Sequence, residues 1–241
     1  MVKYTAHQHT KKYRHRIKTR RVKYNLLQSA GNNQLKVALF FVGRIKGFEH
    51  TKQNLLNIKN SFNPVTFISL NESSMTSEID NFCNLFDIKN INEQVSLQKV
   101  SIPTTKRYKY IMADHPQNIY SMFYNQKIAM KMIENYQNIH KIKFDCVIYY
   151  RADIISNTNL KINNIKPNTI YIPDGNDFGG YNDRVAYGNF ESMKKYSTTI
   201  DLIEKTSTIN HPETTLKMNL NELKLNIVRF LYPTELHPSR K

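Results

Sequence analysis

The chain has 241 residues, of which 40% are hydrophobic and 11% aromatic. That allows one large α/β domain or two small ones with a substantial core, so the bulk of the chain is expected to be globular. The formal net charge is +16, and nine of the Lys and Arg residues fall within residues 1–30, where there is no Asp or Glu.

Those nine account for more than half of the net charge, so the basic character is largely that of an N-terminal arm, residues 1–34. The stretch HTKKYRHRIKTRRVKY lacks a regular apolar face. Its functional reading is attraction to polyanions, either nucleic acid or an anionic membrane surface at about 1 kcal/mol per basic residue. Its bland reading is a solvated tail. Two cysteines, Cys83 and Cys146, sit in apolar surroundings and are read as reduced core residues. They exclude a disulfide framework and a Zn site. The longest apolar runs, such as 37–42, are too short to span a bilayer, and residues 1–30 lack the apolar stretch of a secretory signal. The expected location is cytoplasmic, with the arm able to hold the protein peripherally at a membrane.

From residue 35 to 241 the pattern predicts one domain. LKVALFFVG (35–43) is a short apolar run closed by Gly, the pattern of a buried parallel strand. Thr51, Leu55, Ile58 and Phe62 then mark one helix face, and Asn63-Pro64 ends that helix. VTFISLN (65–71) is a second strand. Residues 76–86 predict a helix capped by Thr76 or Ser77, and SLQKVSI (96–102) a third strand.

A polar stretch follows, and Ser121 to Ile139 predict the longest helix, with Met122, Ala129, Ile133 and Tyr136 along one side. The Met residues in that stripe read as core. FDCVIYY (144–150) reads as a strand buried on both faces, and TIYIP (169–173) as another. Residues 174–188 hold four of the seven glycines and predict a loop with unusual backbone angles or a close approach to a ligand. A helix over 189–205, another over 211–226 carrying Leu216, Leu220 and Leu223, and a late strand IVRFLYP complete the reading. Strand-helix alternation of this kind predicts an α/β fold, a mostly parallel central sheet flanked by helices.

Four constellations carry charge or special backbone. Arg151-Ala152-Asp153 closes the 144–150 strand. Residues two apart on a strand project the same way, so both charges leave one face together. The carboxylate could hold a divalent cation and the guanidinium a phosphate; the alternative is a structural ion pair. Asp183, in the Gly-rich loop, is a candidate general base on a hydroxyl, or else a turn Asp ordering its own backbone. The same loop begins Asp174-x-Asn176, but Phe178 and Val185 stand where an EF-hand needs oxygen ligands, which excludes one. Gly43-Arg44 ends the first strand, where nucleotide-binding α/β folds receive their ligand, yet neither a dinucleotide fingerprint nor a P-loop is present. His211-Pro212-Glu213 opens a helix; Pro at the first turn and Glu at the dipole's positive end account for it structurally, with a catalytic Glu213 as the other option. His237, late in the chain, could close over a site or lie on the surface.

Taken in order, these stretches resemble the GT-A family of nucleotide-sugar glycosyltransferases. VALFFVGRIKGFEHTKQNLLNI is similar to the opening strand and helix, FDCVIYYRADI to the strand that leads into the acidic D-x-D motif, and YIPDGNDFGGYNDRVAYGNFESM and HPETTLKMNLNELKLNIVRF to later segments of small, divergent members. The resemblance covers about residues 35–235. It implies a GT-A-like domain, a nucleotide-diphosphate sugar as donor, Mn²⁺ or Mg²⁺ as cofactor and a glycan or glycoprotein acceptor. It further implies donor contacts at Gly43, Arg44, Arg151 and Asp153, metal ligation by Asp153 with His237, and Asp183, with Glu213 behind it, as catalytic base. One departure is plain: Arg151 stands at the first acidic position of D-x-D, so either Asp153 and the diphosphate alone hold the metal, or Arg151 replaces part of the cation's role and metal binding is weak or dispensable. The rival reading is a basic, nucleic-acid-associated or scaffold protein with a non-catalytic α/β core. The concentration of charge in the arm and the acidic loop in the core argue against nucleic acid as the partner.

Overall fold

The computed structural model describes residues 35–43, 45, 47–71, 78–111 and 115–236. The basic arm, Arg44, the Thr76 and Ser77 caps and His237 lie outside the described residues.

The central feature is a seven-stranded sheet. In chain order its strands are β1 (Val37–Val42), β2 (Val65–Asn71), β3 (Val95–Gln98), β5 (Cys146–Tyr150), β7 (Thr169–Pro173), β8 (Val185–Gly188) and β10 (Asn226–Phe230). Short strands β4 (Lys109–Ile111) and β9 (Thr208–Asn210) pair with each other, as do β6 (Ile154–Ile155) and β11 (Glu235–Leu236). Across the main sheet the order is β10-β7-β8-β5-β1-β2-β3. Strand β8 is antiparallel to both β5 and β7; the other pairings are parallel.

Alternation along the strands splits the core into two layers. Ala38, Phe40, Val147 and Tyr149 face one way, and Leu39, Phe41, Ile148 and Tyr150 the other. Helices α1 (Phe48–Phe62) and α2 (Glu78–Leu85) cover the second face, through Phe48, Leu55, Ile58, Ile79 and Phe82. The first face is covered by α4 (Pro116–His140), α5 (Phe190–Tyr196), α6 (Thr199–Thr206) and α7 (Pro212–Glu222). The one-turn α3 (Ile91–Gln94) leads into β3. Both faces of β1 and β5 are therefore buried, which is why their sequences are continuous apolar runs. Cys83 and Cys146 are buried free thiols, and burial pushes them up to about 11 and about 12.

Four sequence expectations are corrected. Val185–Gly188 is strand β8 rather than loop. The third strand ends at Gln98 rather than residue 102. The long helix starts at Pro116, five residues before Ser121, because Pro at its first position needs no amide partner there. The expected helix over 189–205 is two helices, interrupted where the carbonyl of Lys195 accepts from the Thr198 hydroxyl. No helix among the described residues is long and apolar enough to cross a membrane.

Candidate functional site

Strands β2 and β3 lie on one side of β1, and β5 on the other. The sheet thus reverses its winding between β1 and β5, and open α/β sheets bind ligands at the carboxyl ends of the strands flanking such a switch point. Register pairs Phe40 with Tyr149, so β1 runs out at Gly43 close to where β5 runs out at Arg151. Gly43 has φ +90°, and a Cβ there would meet nothing within 4 Å. The chain leaves β1 by a left-handed residue beside open space.

Arg151 is buried between two carboxylates. Its Nε and Nη2 donate to Asp153 Oδ1 and Oδ2, each at 3.0 Å. Its Nη1 faces both oxygens of Asp183 at 3.3 Å. The chain brings Asp183 there through the β5–β8 pairing, which extends to a hydrogen bond from Arg151 N to the Arg184 carbonyl at 3.0 Å. Burial alone would lower the Arg151 pKa; Asp183 and Asp153 more than offset it and raise it, so the guanidinium is permanently charged. Arg184 is pulled down by burial and by the Arg151 charge. It spends its Nη1 on the Thr234 carbonyl at 2.6 Å.

Glu213, at the start of α7, completes the acidic side. It is 5% exposed, and burial together with the Asp183 charge pushes its carboxyl up to about 8. Its Oε2 lies 2.6 Å from His211 Nδ1, out of line for a regular hydrogen bond. The Gly-rich loop is locked onto this helix end. Tyr181 N donates to the Glu213 carbonyl at 3.1 Å, and a Cβ on Gly180 would stand 1.9 Å from that oxygen. The close approach expected of the glycines is real, but it is to the chain's own helix.

Beneath Arg151, on the helix-covered face, lie further polar groups. Gln126 on α4 sits beside the Tyr149 hydroxyl, and the Tyr196 ring lies 6.0 Å from that of Tyr149. All three are fully buried, and neither the two hydroxyls nor the Gln126 amide has a regular hydrogen-bond partner among the described residues.

Of the residues expected at the site, Arg151, Asp153, Asp183 and Glu213 converge, and Gly43 lies at the same sheet end; Arg44 and His237 lie outside the described residues. Asp183 is 2% exposed and turned toward Arg151. Gln126, Tyr149, Tyr196 and His211 were missed. A polar Gln126 between Phe123 and Ala129 on a buried helix face was the readable signal for one of them. Among the described residues no group of three or more His, Cys, Asp or Glu could hold a metal ion. The donor set here suits a guanidinium: Arg151 stands between the two carboxylates a divalent cation would bridge.

No curated protein matches the sequence. A family model matches residues 32–235, which is most of the chain and all of the sheet, and on that match the chain belongs to DUF7796, a family described as a domain of unknown function.

Proposed function

We propose that the chain transfers a sugar from a nucleotide-diphosphate sugar to a hydroxyl of a glycan or glycoprotein acceptor, on a GT-A-type scaffold. The observation that carries this reading is the position of Arg151: a charged, buried guanidinium at the carboxyl end of β5, at the switch point of the sheet. The strand order also supports it. Counted along the chain within the main sheet alone, the strands lie 3-2-1-4-6-5-7 with the sixth antiparallel, so the first and fourth strands, which end at Gly43 and Arg151, flank the switch point where open α/β sheets bind ligands.

In this reading the acceptor oxygen attacks the anomeric carbon, the bond from that carbon to the phosphate oxygen breaks, and the nucleoside diphosphate departs with the negative charge. Arg151 stabilises that charge. Asp153 and Asp183 fix its orientation without consuming all five N–H donors, so the group is preorganised. The acceptor's proton passes to the Asp183–Glu213 carboxylate pair; the raised Glu213 value brings it toward working pH, where a base is most effective.

One observation favours a second reading. The two-point Arg151–Asp153 pair is also what a structural clamp at a strand end would show. The protein would then be a scaffold, with residues 1–34 supplying polyanion or anionic-membrane binding. A thermal-shift screen of UDP-, GDP- and dTDP-sugars, each with Mn²⁺ and with chelator, separates the two. A donor at a hundred times its dissociation constant stabilises by about 2.7 kcal/mol. Silence across the screen, with polyanion binding lost on deleting residues 1–30, selects the scaffold.

A further inference from the structure

Phe178 is the most unusual residue near the site. It is 63% exposed, yet it has φ +42°, a left-handed conformation that a bulky side chain rarely adopts. Its loop holds it there. Asp177, the preceding residue, receives Arg229 Nη2 on both carboxylate oxygens at 2.8 and 2.9 Å. Asp177 also accepts from Asn182 N at 2.9 Å. Two residues on, Gly180 is wedged against the Glu213 carbonyl. A strained backbone held from both sides is a feature that structures keep where the side chain has a task.

The Phe178 ring lies 5.5 Å from the His211 ring, at 46°. His211 is half-buried, and its Nδ1 faces the buried Glu213 Oε2, which has no regular hydrogen-bond partner among the described residues. The result is a short path from solvent inward: an exposed aromatic ring, an imidazole tilted against it, and a buried carboxyl behind that. A sugar ring matches this path. Its C–H face packs on an aromatic ring, while the hydroxyls at its rim need polar partners. A purely apolar ligand would leave His211 unmatched, and a small anion would not use Phe178.

We infer that Phe178 and His211 form the acceptor platform, with the face of a carbohydrate ring resting on Phe178 and one of its hydroxyls directed at His211 and the carboxyl behind it. This rests on the glycosyl-transfer reading for its role but not for its test, because the platform binds saccharide whether or not a donor is present. Phe178 thereby determines acceptor choice, and His211 positions the reacting hydroxyl.

The protein contains no Trp, so Phe178→Trp in the full chain places a single fluorophore on the platform. Its emission is titrated with methyl hexosides and their disaccharides, with no nucleotide present. At least one saccharide should shift the emission saturably, and His211→Ala in the same background should weaken that binding about tenfold. Saturation-transfer NMR on the wild type reads the same contact without the new residue. It should mark the ring protons of the bound saccharide, and Phe178→Ala should abolish the signal. If no saccharide shifts the emission or takes up saturation while nucleotide sugars do stabilise the protein, the platform is wrong and the donor reading stands. If saccharides bind but no nucleotide sugar does, the platform stands and the glycosyl-transfer reading falls.

Discussion

Gly180 stands so close to Glu213 that a methyl group on it would occupy the space of the Glu213 carbonyl oxygen. This contact joins the Gly-rich loop to the first turn of α7, and so joins Asp183, two residues before the strand that follows the loop, to the Glu213 carboxyl. Gly180→Ala should separate the two. Forced insertion of a methyl into packed backbone costs on the order of 1–3 kcal/mol, read as a shift of the urea midpoint. Transfer should fall more than stability does. A variant that unfolds at the wild-type midpoint would show that the loop yields without cost.

Arg151 is held by two acids, so its removal should be worse than their joint removal. Arg151→Met removes the guanidinium that stands between Asp153 and Asp183, and breaking a buried pair in this way costs about 3–5 kcal/mol. Arg151→Met combined with Asp183→Asn should recover a large part of that loss. Chemical denaturation of these two variants and of Asp183→Asn alone measures the coupling; additive losses would mean that Arg151 and Asp183 do not share an interaction in the folded protein.

Glu213 makes stability depend on pH. Its carboxyl holds a proton more tightly in the folded chain than at its ordinary value of 4.5, because of burial and the Asp183 charge. Between that value and about 8, folding takes up a proton, so the native state loses stability as pH rises through the window. Glu213→Gln has no proton to take up. The variant should therefore gain on the wild type as pH rises from 4.5 toward about 8 and hold its lead above that. Denaturation midpoints that run parallel across this window would contradict the account of Glu213.

Several elements were legible because local pattern decided them. β1 is a continuous apolar run, β2 and β7 are rich in aromatic and β-branched residues, and the Thr51-Leu55-Ile58 stripe marked α1 with its end at Asn63-Pro64. β8 was not legible. Four residues closed by Gly, directly after a Gly-rich loop, carry little strand signal; pairing with β5 and β7, 16–41 residues away in sequence by the register, fixes them as a strand. The site divided in the same way. Arg151 and Asp153, two residues apart at a strand end, could be read as partners. That Asp183 would join them depends on the β5–β8 register, and His211 against Glu213 on how α7 begins. The polar Gln126–Tyr149 contact joins two buried faces whose apolar pattern concealed it.

The central claim is that Arg151 and Asp153 sit beside a donor diphosphate. It is tested most directly by measuring sugar transfer and donor hydrolysis by the wild type and Asp153→Asn, in Mn²⁺ and in chelator, with both proteins shown to be folded. The substitution keeps the shape of Asp153 and removes its charge, so it frees Arg151 from its two-point pair and takes away the carboxylate a cation would use. The account predicts that the wild type turns over a UDP-, GDP- or dTDP-sugar and that Asp153→Asn, which loosens Arg151, loses most of that transfer in Mn²⁺ and in chelator alike. Asp183→Asn in the same assay should bind donor nearly as well but transfer on the order of 10²- to 10⁴-fold more slowly, as loss of a general base requires. Asp153→Asn working at the wild-type rate in metal and chelator alike would contradict it, and Arg151-Ala152-Asp153 would then be a salt bridge that closes the end of a strand.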